Sequence, residues 1–597
     1  MSRGQAVPVE IGVRQGFRKV ISQRSALTFA EIAISKSQLV QGRQPDTPNL
    51  CALDWGWHRN QSEEKEVVKI QPQSQGPQKR ADAMTYSLTT PLYYVNAKPH
   101  LGSVYTTLAC DALARFQRLE GQDVVFITGV DEHGQKIQRT AETQNISPAD
   151  HCDQISALYS DLWARWDITN DRFVRTTSPR HLPLVQAFFQ RCEAAGHIRT
   201  GHQEGWYCVD CEEFKDDPSD ANNPDCPIHR KPLEWRDEEN LFFCLSQFQE
   251  RIETLIADPQ FIAPTSRRRE IENFVAGGLR DFSISRVNVS WGLPVPGHPG
   301  HTFYVWFDAL LGYLTALLDD GGEANLDRLA DVGWPADVHV IGKDILRFHA
   351  VYWPAMLMSA GLPVPKRVFG HGFLTREGQK MGKALGNVLD PEILLERCGT
   401  DAVRWYLLRD IQFGEDGDFQ QQRFMDLVNN DLANTIGNLL NRTASMSRKW
   451  FDASLPPVSD GVRSDHPLKD TTEQTIVRVR QSIPALAFQN AAEAVLQLAI
   501  EANGYLNEQA PWSLMKQPGH EEKVGDDLYA VLECCRVIGL LLQPLVPGLS
   551  SRILAQLDQR PSEDCWTQAL SWGQLEPGID LPKPEPVMQR LELESPL

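Results

Sequence analysis

The chain has 597 residues, which is enough for roughly three to five domains, and its 42% hydrophobic content supports proper cores. No apolar run approaches the length of a membrane span, and 12 unevenly placed cysteines argue against an extracellular disulfide framework and for a reducing compartment. A net charge of −19 argues against a protein that coats nucleic acid nonspecifically, although a local basic surface would still permit RNA binding.

Residues 1–83 differ from the rest of the chain. They carry 12 lysines and arginines against 8 aspartates and glutamates, are rich in Gln and Ser, and show no sustained helical or strand period. Three interpretations stay open: a targeting peptide, a disordered extension, or untranslated sequence before a start codon at Met84. Residues 1–45 are basic and poor in acids, as transit peptides are, but five acidic residues follow between 46 and 66. A mis-assigned start is therefore the favoured interpretation.

A strand-to-helix turn near residue 100 is the first candidate site. Residues 90–96 have the pattern of a strand, apolar residues recur at helical spacing from Leu101 to Leu119, and Gly121 marks the expected helix end. His100 and Gly102 lie at the turn. A helix N-terminus offers unpaired N–H groups, the glycine lets a nucleotide approach the backbone, and the imidazole can donate to a phosphate oxygen. The turn predicts a phosphate site, with an ordinary turn histidine as the alternative.

A second buried strand, residues 124–128, leads to an acidic turn. Carboxylates at the C-terminal end of a parallel strand face the ligand crevice of a doubly wound sheet. Asp131 is therefore predicted to pair with an ammonium group, and the alternative is a turn-capping aspartate.

The most specific chemical pattern is a set of four potential metal ligands in two pairs, with two residues between the members of each pair. They can wrap one tetrahedral Zn²⁺, and the loop-forming sequence between them could not build a large core of its own. A shell filled by protein ligands predicts a structural metal, and redox or incidental thiols are the alternative. The four residues are Cys208, Cys211, Cys226 and His229.

Aromatic and amphipathic residues recur in four segments that could form one pocket. Aromatic faces and an imidazole suit a thioether, because sulfur contacts aromatic rings favourably; core packing is the alternative for each aromatic residue. A further strand at 338–341 ends in Gly342-Lys343-Asp344. The candidate pocket residues are Leu92, Tyr94, Trp306, Tyr313 and His349.

Two later stretches carry charge and polarity in patterns that suit nucleotides. Lys380 and Lys383 lie in a glycine-containing loop, where cations can follow charge that develops on a phosphoryl group. From about residue 424 the chain is predicted to be helical, and Asn438 and Arg442 fall on one face, as suits reading of exposed base edges. Trp512 could stack on a base. The alternatives are a solvated turn and a polar outer helix face.

These motifs, in this order, resemble class I aminoacyl-tRNA synthetases, most closely the methionyl enzymes of the single zinc-knuckle type, over about residues 84–590. His100-Leu101-Gly102-Ser103 resembles the HIGH signature, with Ser103 in place of its last histidine. Lys380-Met381-Gly382-Lys383-Ala384 resembles the KMSKS loop, with Gly382 and Ala384 in place of both serines. Leu310 replaces a family proline between Trp306 and Tyr313.

The resemblance implies an α/β fold: a Rossmann-like doubly wound parallel sheet with a zinc-binding connective insertion, followed by an all-α anticodon-binding domain. The expected segments are an N-terminal extension (1–83), the first half of the catalytic domain (84–200), the insertion with the zinc knuckle (201–290), the second half (291–373), the KMSKS-loop and stem-contact region (374–423), the helical anticodon-binding domain (424–580) and a C-terminal tail (581–597).

The implied activity is ATP-dependent formation of methionyl-adenylate and transfer of methionine to the 3′ end of tRNA(Met), in initiation and elongation. The resemblance gives roles to the candidate residues: catalysis to His100, Gly102, Ser103, Lys380, Lys383 and Arg286; ATP binding to His100, Gly102, Gly342, Asp344 and Lys383; methionine binding to Leu92, Tyr94, Asp131, Trp306, Tyr313 and His349; zinc to Cys208, Cys211, Cys226 and His229; the anticodon to Asn438, Arg442 and Trp512.

The expected cofactor is one structural Zn²⁺, and Mg²⁺ is expected to accompany ATP as substrate. A monomer without membrane association is expected in the cytoplasm, with organelle import through residues 1–83 as the alternative. Two other functions stay open. A catalytically inactive tRNA-binding relative is conceivable because of Ser103, Gly382 and Ala384, whereas another nucleotidyltransferase of this fold is disfavoured by the anticodon-type helices.

Overall fold

A computed structural model of the chain describes residues 85–210, 212–215, 224–226, 230–287, 289–319, 322, 325–381, 387–562, 566–592 and 597. The expectations for residues 1–83 lie outside the described residues. So do those for Cys211, His229, Gly382, Lys383 and Ala384.

The strands of the described residues are, in chain order, β1 (Tyr86–Tyr94), β2 (Val124–Asp131), β3 (Arg172–Arg175), β4 (Ile198–Cys208), β5 (Glu213–Lys215), β6 (Glu234–Phe243), β7 (Ile262–Ala263), β8 (Phe282–Ser283), β9 (Ser285–Arg286), β10 (Thr302–Phe303), β11 (Val338–Gly342), β12 (Val368–His371), β13 (Leu374–Arg376), β14 (Gln379–Lys380) and β15 (Gly417–Phe419).

The α-helices of the same residues are α1 (Leu101–Leu119), α2 (Gln135–Gln144), α3 (Pro148–Arg165), α4 (His181–Ala194), α5 (Gln249–Ile256), α6 (Thr265–Ala276), α7 (Val305–Leu318), α8 (Trp353–Ser359), α9 (Pro391–Cys398), α10 (Thr400–Arg409), α11 (Gln421–Leu427), α12 (Asn438–Trp450), α13 (Asp460–Ser464), α14 (Pro467–Ser482), α15 (Phe488–Gln509), α16 (Pro511–Leu514), α17 (Glu521–Leu541), α18 (Pro547–Ala555) and α19 (Trp566–Ala569). None of the helices described is long and apolar enough to cross a membrane.

A six-stranded sheet, parallel throughout, organises the N-terminal half of the described chain. Its strands lie in the order β3, β2, β1, β11, β12, β7. The chain winds outward from β1 through β2 to β3 and later returns to β11 on the other side of β1. This change of direction is the switch point at which doubly wound sheets bind ligands. The predicted fold class is confirmed in its parallel sheet and in the helical half that follows.

The first strand begins four residues earlier, and ends two residues earlier, than the sequence pattern predicts. It begins at Tyr86 because residues 86–89 pair with Val124–Ile127 of β2, and it ends at Tyr94. The pairing register shifts between Thr89 and Leu92, around Pro91, which has no N–H to donate to the ladder. The predicted helix and its end at Gly121 are confirmed: α1 ends at Leu119, and Gly121 has a φ of +83°.

An antiparallel hairpin of β4 and β6 forms the centre of the inserted segment. The two strands pair from Ile198 opposite Phe243 to Tyr207 opposite Glu234, β5 pairs with the outer end of β4, and β8 pairs with β6. These four strands form a sheet that is separate from the six-stranded sheet.

Helices dominate the chain beyond residue 390, and α12, α14, α15 and α17 pack against one another. The predicted helix from 424 is confirmed in part. Between α11 and α12 the chain is π-helical from Val428 to Gly437, with a wider turn in which the Thr435 hydroxyl bonds to the Asn430 carbonyl. Sequence periodicity does not distinguish such a turn from a regular α-helix.

A buried ion pair joins α1 to the helical half. Arg404, on α10, is fully buried, and its Nη1 lies 2.7 Å from the carboxylate of Asp111 on α1. Its Nε and Nη2 donate to the carbonyls of Leu545 and Pro544, which lie between α17 and α18. One guanidinium therefore links three separate segments.

We predict that Arg404→Leu lowers the free energy of unfolding by about 3 kcal/mol, because a buried carboxylate loses part of its compensation and two buried carbonyls lose their donors. Urea denaturation measures this change. The control is Lys469→Ala, which removes an exposed ion pair with Glu473 and should cost no more than about 0.5 kcal/mol. Equal stabilities of the two variants would contradict the structural role of Arg404.

Candidate active site

The carboxyl ends of β1, β2, β11 and β12 meet at one edge of the central sheet. Tyr94, Asp131, Gly342 and His371 are the last residues of these strands. Most of the sequence-predicted catalytic, ATP-binding and methionine-binding residues are on or close to this edge, as expected for ligand-binding residues of a doubly wound sheet.

The turn before α1 is built by a reciprocal cap. His100 is the N-cap residue, and its Nδ1 accepts from the backbone N–H of Ser103 at 3.3 Å. The Ser103 hydroxyl accepts from the backbone N–H of His100 at 3.4 Å. Each residue therefore satisfies a donor of the other, as in a capping box. A Cβ on Gly102 would lie 2.9 Å from the His100 ring, so this turn requires glycine.

Leu92, Tyr313 and His349 come together as predicted. The Tyr313 hydroxyl lies 2.8 Å from His349 Nε2, and His349 Nδ1 lies 3.1 Å from the Ile345 carbonyl, both groups being buried. Because a carbonyl only accepts, Nδ1 carries the proton and Nε2 accepts from Tyr313. Burial lowers the pKa of His349 to about 4, so the ring is neutral at pH 7. Leu92 packs so closely on α7 that a Cβ on Gly312 would lie 2.4 Å from its Cδ1.

Trp306 stacks on an aromatic residue that sequence reasoning did not single out. Its ring is 3.9 Å from that of Phe348, with an angle of 7° between the planes. In the sequence, Phe348 could have been identified by its place directly before His349, a candidate pocket residue. The pair brings the start of α7 against the segment that carries His349.

Asp131 is a buried carboxylate with no basic side chain within 4 Å among the described residues. Its Oδ1 accepts from the backbone N–H of His133 at 3.4 Å, a weak contact. Burial, and then the charges of Asp308 and Glu212, raises the pKa of its carboxyl well above the ordinary value. A cationic ligand would stabilise such a group. The bond from the His133 N–H, two residues on, is the contact that the turn-capping alternative predicts, and it is long.

Tyr94 is anchored by Glu212, a residue that sequence reasoning missed. The Tyr94 hydroxyl donates to Glu212 Oε1 at 2.7 Å, and the same oxygen accepts from the backbone N–H of Lys136 at 2.9 Å. Burial raises the pKa of Glu212. A Cβ on Gly134 would lie 2.5 Å from both partners, so this approach also requires glycine. In the sequence, Glu212 is distinguished only by its place directly after Cys211, a predicted zinc ligand.

Arg286 is buried and held by neighbours that are not acidic. Its Nη1 donates to the Ser283 hydroxyl and to the Ser285 carbonyl, at 2.9 and 2.7 Å. Its guanidinium lies over the ring of Tyr304 at 4.1 Å from the centroid. Among the described residues Arg286 forms no salt bridge, and its catalytic role stays a prediction.

The segment that carries the ATP-binding candidates follows β11. A Cβ on Gly342 would lie 2.5 Å from Asp344 Oδ1, which accounts for the glycine. Lys343 lies 2.7 Å from both carboxylate oxygens of Asp416 and thereby ties this turn to the region of β15. Lys380 ends β14, where its backbone pairs with Thr375, and Lys383 lies outside the described residues.

Two of the four predicted zinc ligands are described. Cys208 ends β4, and the Cys226 carbonyl accepts from the Arg230 N–H; both cysteines are buried in one cluster with Leu233. Two neighbouring buried cysteines fit a zinc knuckle. Cys211 and His229 lie outside the described residues, and the described residues contain no group of three or more His, Cys, Asp or Glu side chains that could hold a metal ion.

The three anticodon candidates lie in the helical half. Arg442 on α12 and Trp512 on α16 come together, with the guanidinium 5.5 Å from the ring centre. Arg442 also donates to Asn507 at 3.2 Å. Asn438, one turn before Arg442, lines a cleft of about 560 Å³. Trp512 is 37% exposed, so part of its ring faces solvent.

The sequence matches two families along most of its length. Residues 86–219 and 215–444 match the family described as tRNA synthetases class I (M), and residues 455–595 match the anticodon binding domain of methionyl tRNA ligase. The methionine–tRNA ligase of Synechocystis sp. is 52% identical over 522 residues, which cover 85% of this chain and 98% of the relative.

An organellar relative and a solved structure extend the same result. The Arabidopsis thaliana methionine–tRNA ligase named chloroplastic/mitochondrial is 49% identical over 514 residues, covering 85% of this chain and 83% of that protein. The Mycobacterium tuberculosis methionyl-tRNA synthetase in complex with methionyl-adenylate superimposes with a TM-score of 0.79 at 39% identity, covering 84% of this chain and 99% of the other. The chain belongs to the methionyl-tRNA synthetases of class I.

Proposed function

We propose that this member of the methionyl-tRNA synthetases activates L-methionine with ATP and attaches it to the 3′ end of tRNA(Met), initiator and elongator alike. The observation that carries the proposal is Asp131: a buried carboxylate without a described cationic partner, at the ligand edge of the sheet and in the family's place for the methionine ammonium. A bound ammonium would supply the missing charge.

The rest of the amino acid would lie against the surrounding side chains. Tyr313 and His349 form a neutral wall, because the histidine is uncharged at pH 7 and its Nε2 accepts from the tyrosine hydroxyl. A neutral aromatic wall suits a thioether better than a charged one. Leu92, Tyr94 and Trp306 complete the proposed methionine site.

In the first step, a methionine carboxylate oxygen attacks the α-phosphorus of ATP, the bond to the β-phosphate oxygen breaks, and pyrophosphate leaves with Mg²⁺. His100, Gly102 and Ser103 would hold phosphate at the α1 N-terminus, and Gly342 and Asp344 would hold the nucleoside. Lys380, Lys383 and Arg286 would stabilise charge on the phosphates. In the second step, a ribose hydroxyl at the tRNA 3′ end attacks the methionyl carbonyl and AMP leaves.

We propose that Asn438, Arg442 and Trp512 contact the anticodon. The guanidinium of Arg442 and the exposed part of Trp512 combine a hydrogen-bond donor with a stacking surface, which is how unpaired bases are recognised. We also propose that the protein is a monomer.

Compartment is a separate part of the proposal. We propose the cytoplasm, and the alternative is organelle import through residues 1–83. The name of the Arabidopsis relative, chloroplastic/mitochondrial, favours that alternative. Localisation of the full chain and of a chain that starts at Met84, each fused to a fluorescent protein, separates the two.

Paired substitutions test the enzymatic proposal. Lys383→Ala should lower the rate of adenylate formation by orders of magnitude with little change in methionine affinity, because a cation aimed at developing phosphate charge acts in the transition state. Arg442→Ala should leave methionine-dependent pyrophosphate exchange intact and weaken aminoacylation of tRNA with a CAU anticodon. Pyrophosphate exchange, assayed with each amino acid, and aminoacylation measure both effects.

The wild-type chain decides between the enzyme and its inactive relative. Exchange that depends on methionine, and on no other amino acid, supports the enzyme. If wild-type protein binds tRNA but shows no methionine-dependent exchange, the altered signature residues Ser103, Gly382 and Ala384 have inactivated it.

We propose that Cys208, Cys211, Cys226 and His229 hold one structural Zn²⁺, which would cross-link the end of β4 to the segment that contains Cys226. Metal analysis of the purified protein should give one zinc per chain. Cys208→Ala should lose that zinc and loosen the insertion, seen as faster amide hydrogen exchange in residues 198–243, with ATP binding largely retained. Cys192→Ala, at a buried thiol on α4, is the control that should retain zinc. Wild-type protein without zinc would contradict the proposal.

A further inference from the structure

A buried carboxylate lies behind Asp131 and contacts two imidazoles. Asp308, in the first turn of α7, is fully buried; its Oδ1 is 2.6 Å from His181 Nε2 and its Oδ2 is 2.7 Å from His133 Nδ1. His181 begins α4, and its Nδ1 lies 2.7 Å from Thr315 Oγ1, two turns further along α7. The cluster therefore joins the turn that follows β2 to α4 and α7.

His133 connects Asp308 to Asp131. Its ring contacts Asp308, while its backbone N–H donates to Asp131 Oδ1. The ring centre of His133 is 5.8 Å from that of Trp291. Trp291 Nε1 in turn donates to the carbonyl of Glu132, the residue that precedes His133. His133 therefore contacts both carboxylates, Asp308 through its ring and Asp131 through its backbone N–H.

We propose that Asp308 is a positioning residue for methionine binding: through His133 it fixes the turn that orients Asp131, and its own charge increases the negative potential at the ammonium site. The inference rests on the proposed role of Asp131. Asp308 is suited to this task because it stays ionised. Burial raises the pKa of its carboxyl, but the contacts with His133 and His181 outweigh burial and bring the pKa down to about 2.

The charge of Asp308 also acts on the titration of Asp131. Next to burial, Asp308 is the largest cause of the raised pKa of Asp131. Methionine binding needs Asp131 ionised, so affinity should fall as the pH drops through the pKa of Asp131. Removal of the Asp308 charge should lower that pKa and move the acid limb of binding to lower pH. Other titratable groups around Asp131 are Glu132, His133, Glu212, Tyr94, Tyr313 and Cys152.

The test is Asp308→Asn, which keeps the shape and removes the charge. Calorimetric titration of the full-length protein with L-methionine between pH 5 and pH 8 should show a Kd raised about tenfold at pH 7.5, with ATP binding unchanged. The acid limb should move down by about half a pH unit or more. A damaged fold would weaken binding without moving this limb. An unchanged Kd, or a raised Kd with an unmoved limb, would overturn the inference.

Asp527→Asn is the matched control. Asp527 has an equally buried side chain, lies in the helical half and pairs with Lys523, so its loss should change neither the methionine Kd nor the acid limb.

If Asp308→Asn does not fold, two variants at His133 test the same inference. His133→Asn places an amide donor near the position of Nδ1 and should bind methionine within about threefold of wild type, whereas His133→Leu should lose about tenfold. Equal affinities of the two variants would refute positioning through His133.

The variant Asp131→Asn distinguishes failure of the inference on Asp308 from failure of the proposed function. If Asp131→Asn binds methionine as wild type does, the ammonium role of Asp131 is wrong and the proposed methionine site fails with it. If Asp131→Asn loses methionine while the Asp308 and His133 variants do not, the site stands and only the inference on Asp308 fails.

Discussion

Helix α1 connects the chemistry of the catalytic edge to the helical half of the protein. Its N-terminus forms the turn of His100 and Ser103, and its middle carries Asp111, which is buried against Arg404. A desolvated ion pair is costly unless its geometry is maintained, because either partner alone would be an uncompensated charge. The C-terminal end of α1 adds an ion pair of Glu120 with Arg480 of α14. These contacts hold the helical half to the helix whose N-terminus is the proposed phosphate site.

The buried acidic side chains at the carboxyl edge of the central sheet differ in how their negative charge is compensated. Glu132 is compensated by Arg175, and Asp308 by two imidazoles. Glu212 accepts from Tyr94 and from a backbone amide. Asp131 alone in this group is left with a single weak internal bond. Among the described residues, this contrast supports the proposal that a cationic ligand would compensate Asp131.

The local sequence pattern predicted the elements that form the carboxyl edge of the central sheet. It failed where contacts with residues distant in sequence determine the structure. The periodicity from Leu101 and the stop at Gly121 predicted α1 correctly, because one apolar stripe and one glycine define that helix. The start of β1 depends on pairing with residues 124–127, and the π-helical turn before α12 depends on packing, so neither could be predicted from a short window. Glu212 contacts Tyr94, and Asp308 contacts His133. The two residues of each pair are far apart in sequence, which is why the sequence analysis did not identify Glu212 or Asp308.

The reciprocal cap at the start of α1 explains why the altered signature still builds the predicted turn. A helix begins with orphan N–H groups, and here the His100 ring satisfies one of them at Ser103. The serine hydroxyl returns a bond to the His100 backbone, a task that needs a short side chain with an acceptor oxygen at this position. Ser103 therefore replaces the signature histidine with a residue that stabilises the turn itself. The proposed phosphate site is then formed by the helix N-terminus, His100 and Gly102, all of which this turn retains.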